Sequence, residues 1–268
     1  MNKVRVKTIY KKELLEIKQD KTLVASLLTL PVILGIIFPM IFIALGYNKS
    51  FLLGMDKVSF MTKQFVDIIP ARISGNTRTL YIIFMYLFLP LFLIIPISIS
   101  NVIASSSFVG EKENKTIEGL LNTPISDKEL VFGKILSAAI PSILITWISM
   151  IIYGLLLDIM GFKIFNTFIF PNVEWMFMSL ILAPLITLLS IQLVICISSR
   201  VKTSKSSQSV AIIFIFPIIA FIISQASGIL IFGVWLEVLL SILILLANIV
   251  IFNKITSKIN REKIILNS

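Results

Sequence analysis

The chain has 268 residues, of which 57% are hydrophobic and only 14% are charged, and its mean hydropathy is +1.00. This composition excludes a water-soluble globular domain and indicates a polytopic membrane protein. The formal charge of +10 lies mostly in short segments between apolar runs. Such segments are typical of topology signals and of contacts with lipid headgroups, so the charge does not predict nucleic-acid binding.

Histidine is absent, and Cys196 is the one cysteine. The first fact excludes histidine-based metal or acid–base chemistry, and the second excludes an internal disulfide. Because Cys196 lies within an apolar run, we expect it to be a small buried residue.

Residues 2–20 combine six basic side chains with an apolar stripe made of Val6, Tyr10, Leu14 and Ile17. The pattern predicts a basic amphipathic helix in the membrane interface. A solvated positive flank that fixes the topology explains the same residues, and the two interpretations are compatible. A cleavable signal peptide is not expected, because the following apolar run is too long and no small-residue cleavage site follows it.

Six apolar runs are long enough to cross a bilayer, which requires about 20 residues. We predict spans at 22–48, 79–110, 135–157, 175–199, 206–230 and 233–253. Prolines within the runs predict kinks, and Trp175 is expected in an interfacial aromatic belt. Residues 49–78 are mixed in charge and predict an extracellular loop, either a plain connector or a gate over the pathway.

A charged island at 111–134 separates the second and third runs and carries nine charged side chains. Each charge would cost roughly 2.5–3.5 kcal/mol inside a bilayer, so the island must lie in water. The spacing of Ile117, Leu120 and Leu121 predicts a short amphipathic helix. The segment 122–124 ends in proline and should terminate that helix.

Ser126 and Glu129 have the spacing of a capping box, so a new helix is predicted to begin there and run into the third span. On pattern alone, a solvated connection between two spans is the simpler explanation of the island.

The run from 110 to 134, GEKENKTIEGLLNTPISDKELVFGK, resembles the loop after the second membrane helix of ABC-2 type permeases, the membrane subunits of one class of ATP-binding cassette transporter. Those proteins commonly read G-E-[KR]-E-x-G-T-x-E-x-L-L-x-[TS]-P-[IV]-S, followed by G-K. Lys115 stands where the family usually has glycine, which removes the residue that favours a tight turn before Thr116. The matching positions are Glu111, Glu113, Thr116, Glu118, Leu120, Leu121, Thr123 and Pro124.

The resemblance implies an all-α polytopic membrane domain over residues 1–268, with an elbow helix at 2–20 and a cytoplasmic coupling helix in the loop 111–134 that docks on an ATPase. Re-entrant half-helices are expected between 225 and 233. It also implies ATP-driven export by a pair of permease subunits, identical or related, with two ATPase subunits supplied by separate chains. ATP and Mg²⁺ would bind to those ATPases. Membrane lipids would be further partners, and nucleic acid would not.

A nucleotide site within the chain is not expected. Gly133 and Lys134 are followed by Ile135, without the hydroxyl residue or the upstream glycine of a phosphate-binding loop. The two termini, the island and the loop at 200–205 together carry 18 lysines and arginines, against 6 on the other side. The positive-inside rule therefore places both termini and the island in the cytoplasm. The resemblance implies the cell membrane of a prokaryote as the location.

Glu237 is the one acidic residue embedded in a predicted span. It could contact a polar substrate together with Gln225, or it could be an interfacial acid that reaches water. An ATP-independent carrier or channel is the alternative function, and it would use Glu237 and the serine-rich end of the second span. A membrane enzyme is less consistent with the sequence, which offers no convincing metal triad, aspartate pair or serine dyad.

Overall fold

The structure, a computed structural model, describes residues 2–48, 69–70, 72–73, 77–114, 125–198, 200–201, 203–209, 211–227 and 233–258. Within these residues the regular elements are helices: α1 (Lys3–Gln19), α2 (Lys21–Gly46), α3 (Thr77–Glu113), α4 (Asp127–Phe165), α5 (Val173–Ser198), α6 (Ser204–Gln208), α7 (Ala211–Ala226) and α8 (Val234–Lys258). Six stretches are long and apolar enough to cross a membrane: α2, α3, α4, α5, α6 with α7, and α8. The predicted all-α polytopic membrane fold is confirmed.

The bundle is built around α3. In the most apolar window of α3, 72% of the residues are buried inside the chain, against 17% for α8. Neighbouring helices α2, α4, α5 and α7 all pack against α3. Because α3 is apolar on every side, it can be enclosed by other helices, whereas the outer helices leave apolar faces for lipid or for another protein.

Three of the spans contain a π-helical turn shortly before a proline. These turns are Ile33–Ile37 before Pro39, Ile83–Leu87 before Pro90, and Met178–Leu182 before Pro184. Proline has no backbone N–H, so the carbonyl one turn earlier loses its partner and the helix widens locally. At these three prolines the predicted kinks take the form of widened turns, whereas Pro31, Pro141 and Pro217 lie within α-helical segments.

The widened turn in α3 provides acceptors for two neighbouring helices. The Tyr153 hydroxyl donates to the carbonyl of Phe84 at 2.8 Å, and the Trp175 Nε1–H donates to the carbonyl of Met85 at 3.0 Å. Both donors are buried, and their rings stack with centroids 4.8 Å apart. These bonds join α4 and α5 to the centre of the bundle.

The placement of Trp175 in an interfacial belt is wrong, because only 1% of this residue is exposed. Its N–H finds an acceptor inside the protein, so the indole does not need water. Trp235, at the start of α8, is 88% exposed and has the exposure that a belt residue requires. Cys196 also differs from expectation, since it is exposed on α5.

Capping residues determine where α4 begins and where it ends. Ser126 and Glu129 form the predicted capping box, with the Glu129 N–H donating to the Ser126 hydroxyl at 3.3 Å and the Ser126 N–H donating to the Glu129 carboxylate at 3.2 Å. Asn166, with a φ of 53°, ends the helix in the left-handed conformation. The helix therefore extends beyond the predicted span 135–157 at both ends.

The second span also runs further than predicted, because α3 continues through Glu113. Glu111 and Glu113 thus belong to the last turn of a membrane helix and not to a separate short helix. The remaining predicted coupling helix, most of the loop 49–78, and the turn between the fifth and sixth spans lie outside the described residues.

Candidate functional site

One end of the bundle brings together α1, the last turn of α3, the first turns of α4, and α6. We call it the α1 end. The loop 115–124 begins and finishes here, since α3 leads into it and α4 leads out of it. The charged side chains near this loop therefore decide how it is attached to the membrane helices.

The buried face of α1 consists of Val6, Ile9 and Glu13. It differs from the predicted stripe, of which Val6 alone is buried. The helix lies on α4, and Gly133 makes the close approach possible, because a Cβ there would stand 2.8 Å from Ile9 Cγ2. A charged residue, Glu13, thus lies on the side of α1 that faces the protein.

The first turn of α1 is tied to the first turn of α4. The backbone N–H of Asn2 donates to Glu129 Oε1 at 2.6 Å, and Arg5 Nη1 lies 3.7 Å from Glu129 Oε2. Asn2 also caps its own helix by accepting from the Val4 N–H at 3.0 Å. The capping residue Glu129 therefore starts α4 and anchors α1 at the same time.

The far half of α1 is held by an ion-pair cluster, which consists of Lys12, Glu13, Glu16, Glu111 and Lys134. Lys134 pairs with Glu111 and lies 3.4 Å from Glu13 Oε1, and its ammonium also donates to the carbonyl of Ser107. Lys12 reaches Glu111 at 2.6 Å, Glu16 at 2.9 Å and Glu13 at 3.3 Å. Three helices are joined by these pairs: α1, α3 and α4.

The centre of the cluster is almost dry. The side chains of Glu13 and Lys134 are each 3% exposed, and that of Glu111 is 9% exposed. Charges so deeply buried must be paired, because removal of one partner would leave another without solvent or counter-charge. Burial alone would lower the pKa of Lys12, but its hydrogen bonds to Glu111 and Glu16 and the charge of Glu13 raise that pKa above its ordinary value.

Three carboxylates in the cluster have oxygens within 4.8 Å of one another, those of Glu13, Glu16 and Glu111. They line a cleft of about 250 Å³ between α1 and α3. Two lysine ammonium groups already bind these oxygens, so protein cations occupy the position that a metal ion would need, and the three acids do not indicate a metal site.

A second set of contacts joins α6 to α3. Glu113 accepts hydrogen bonds from the backbone N–H of Ser204 at 2.9 Å and from its hydroxyl at 3.0 Å. Deeper in the bundle, the Asn101 amide donates to the carbonyl of Gln208 at 3.0 Å, and the Ser105 hydroxyl lies within 3.1 Å of both Asn101 Oδ1 and the Ser207 hydroxyl. The short helix before the fifth span is thus attached to α3 at both ends.

The architecture has six apolar helices, and α1 packs beside the loop between the second and third spans. The family model for the ABC-2 type transporter matches residues 4–222. The chain belongs to this family. It is the membrane permease component of ABC-type transport and a multi-pass membrane protein. Searches among curated proteins and among solved structures found no match.

The structure places the predicted site residues of this permease in two separate regions. Glu111 and Glu113 lie at the α1 end, the first in the ion-pair cluster and the second against α6. Gln225 and Glu237 are both buried near the opposite end, where α7 finishes and α8 begins. The other predicted coupling positions, Thr116, Glu118, Leu120, Leu121, Thr123 and Pro124, lie outside the described residues.

The pairing of Lys12, Glu13 and Lys134 was not predicted from the sequence. A signal was available for Lys134 alone, which stands where the charged island meets the third apolar run. Asn101 was missed altogether. It is an amide inside an uncharged span, and a polar side chain in that setting requires a partner on another helix.

Proposed function

We propose that this permease is the membrane subunit of an ATP-driven exporter, with ATPase subunits supplied by separate chains. Its family membership supports a role in ABC-type transport, and its sequence contains no phosphate-binding loop. A pair of permease subunits, identical or related, would form the pathway, and two ATPases would bind at the α1 end.

In this proposal the residues from 111 to 124 receive the movement of the ATPase. The main support for this role is the ion-pair cluster. It connects both flanks of the loop to each other and to α1. Because the pairs are buried and close, a displacement of the loop would move α1, α3 and α4 together and would not be absorbed by one flank. The contacts between Glu113 and Ser204 would pass the same movement to α6 and the fifth span.

The coupling residues on the loop would be Thr116, Glu118, Leu120, Leu121, Thr123 and Pro124. Their roles follow from the resemblance of the loop to the coupling helix of the family, which docks on the ATPase. Glu111 and Glu113 would serve as positioning residues, since their carboxylates bind groups of this chain. The count of basic residues supports a cytoplasmic α1 end in a prokaryotic cell membrane, with both termini on that side.

An ATP-independent carrier is the alternative, favoured by the buried acid Glu237. Its other proposed element, the serine-rich end of the second span, lies at the α1 end, where Ser105 is bonded to Asn101. The two elements are therefore at opposite ends of the bundle, and they do not form one binding site within the part of the chain that the structure describes.

The test is co-purification. We would solubilise the protein from its native membrane in mild detergent and identify the soluble chains that accompany the wild type, Glu118→Arg and Leu121→Asp. Lys7→Glu is the control, because it reverses a charge on an exposed side chain of α1 at the same end and outside the ion-pair cluster. An ATPase retained by the wild type and the control but lost from the loop variants supports the proposal. An ATPase retained by every variant, or absent from the wild type, would contradict it.

A further inference from the structure

Glu237 lies on the face of α8 that is turned toward the protein, close to the end opposite α1. Its exposed fraction is 0%, although Trp235 and Leu239 on the same helix are 88% and 53% exposed. The helix packs here against the first turns of α5. The carboxyl group is therefore directed into the contact between the fourth and sixth spans and away from the surrounding lipid and water.

Neither carboxyl oxygen of Glu237 has a hydrogen-bond partner among the described residues, and no lysine or arginine in those residues pairs with it. One turn further along α8, the hydroxyl of Ser241 is 6% exposed and also lacks a partner. Two orphaned polar side chains thus lie on the same buried face. On the same helix, the amide nitrogen of Asn248 does have a partner, because it donates to the carbonyl of Leu185 at 3.0 Å, whereas its oxygen has none among the described residues.

The charged residue that interacts with Glu237 is another acid, Glu174. Glu174, in the first turn of α5, interacts electrostatically with Glu237 across the contact between the helices. The groups around Glu237 in the described residues therefore offer it no positive charge.

A carboxylate in this position would be desolvated, without a hydrogen bond, and repelled by a neighbouring acid. Each of these conditions favours the neutral form. The N-terminal end of α8 acts in the other direction, since a helix N-terminus attracts negative charge. That attraction depends on free N–H groups reaching the anion, and none reaches Glu237. The desolvation of the carboxylate therefore outweighs the attraction of the helix N-terminus. A proton is the ligand that fits, because it can bind to the carboxyl group without a cavity.

From this geometry we infer that Glu237 is a proton-binding residue of the permease. With α5 and α8 packed together, the carboxylic acid holds its proton. When their ends separate and water enters, the O–H bond of the acid breaks, the proton passes to water, and the carboxylate remains. Repacking requires the reverse step. The contact between the fourth and sixth spans is thus linked to proton binding, and the inference does not depend on any ATPase partner.

Infrared spectroscopy of the purified full chain in lipid nanodiscs tests this directly, because a protonated carboxyl group has a carbonyl stretch that a carboxylate lacks. We expect the wild type at neutral pH to show this band, Glu237→Gln to lose one carboxyl equivalent of it, and Glu16→Gln to keep it. In Glu174→Gln the band should disappear at a lower pH than in the wild type, since the repelling neighbour is gone.

A wild type without the band at neutral pH would overturn the inference, as would a Glu237→Gln variant that retains the full band. Either result would mean that Glu237 does not hold a proton at neutral pH. If Glu237→Gln fails to fold, the wild type and Glu174→Gln still decide the question. A band that shifts between these two supports proton binding near Glu174, and a band that titrates identically in both overturns it.

Discussion

Lys134 and Glu111 form a buried ion pair that joins the two flanks of the loop between the second and third spans. They stand 23 residues apart in the chain, one at the end of α3 and the other in α4. Lys134 also lies 3.4 Å from Glu13 on α1. A single ammonium group therefore connects the three helices that surround the proposed ATPase contact.

Lys134→Met should destabilise the protein strongly, because it leaves Glu13 and Glu111 buried with one fewer counter-charge. Loss of one partner from a buried pair typically costs about 3–5 kcal/mol. The free energy of unfolding would be measured by denaturant titration in detergent. Lys128→Met is the matched control, since Lys128 is exposed in the same helix and its removal should change stability little. Equal effects of the two variants would contradict the assignment.

Adding Glu111→Gln to Lys134→Met should restore part of the lost stability. The amide removes one of the two buried negative charges that Lys12 alone would then have to balance, while it keeps the shape of the side chain. Unfolding in the same detergent would report the recovery. A double variant that is less stable than Lys134→Met would show that Glu111 is stabilised by Lys12 alone.

Asn101→Ala should loosen the attachment of α6 to α3. It removes the donor to the Gln208 carbonyl and the acceptor for Ser105, and an unsatisfied buried group costs about 1–3 kcal/mol. Hydrogen exchange of the amides in 203–209 should become faster. Ser105→Ala, which leaves the bond from Asn101 to Gln208 in place, should produce a smaller increase. Exchange that is unaffected by both variants would exclude the attachment.

Two glycines in α4 should respond to alanine in opposite directions. A Cβ at Gly154 would lie 2.1 Å from the Phe170 ring, whereas a Cβ at Gly161 would meet Phe165 at 3.4 Å, an ordinary contact. Gly154→Ala must displace the Phe170 ring from its contacts with Tyr153 and Trp175, and this should cost about 1–3 kcal/mol. Gly161→Ala should be neutral or stabilising by up to about 1 kcal/mol. Thermal unfolding of the two variants compares them, and a reversed order would contradict the packing.

Tyr153→Phe should lower stability by about 0.5–1.5 kcal/mol, because the carbonyl of Phe84 in the widened turn of α3 loses its donor. The stacking of ring 153 on Trp175 should be unchanged, so the near-ultraviolet circular dichroism should keep its shape. Tyr10→Phe, on the half-exposed side of α1, is the control. A loss of the near-ultraviolet signal in Tyr153→Phe would indicate that the hydroxyl positions the ring as well.

Much of the architecture was predictable, because a bilayer imposes strong constraints on sequence. A run such as Thr79–Gly110 contains no charge and can only be a buried or membrane helix, and the spacing of Ser126 and Glu129 predicts the start of α4. The sequence could not show that Trp175 is buried, since its burial depends on a carbonyl of α3 that becomes available through the turn before Pro90. Nor could it show that Cys196 faces outward, because an all-apolar helix contains no signal for its orientation.

The sequence by itself determined that this is a six-span helical membrane protein of the ABC-2 permease type, since hydropathy and the motif at 110–134 are local properties of the chain. Only the tertiary structure decided which charges meet. Glu13, Glu111 and Lys134 come from three different helices, and their pairing depends on the close contact of α1 with α4 at Gly133. Glu237 shows the opposite outcome of tertiary packing. The contact of α8 with α5 buries its carboxyl group, which has no partner in the described residues. Electrostatic interactions depend on distance and burial in three dimensions, and a linear sequence contains neither.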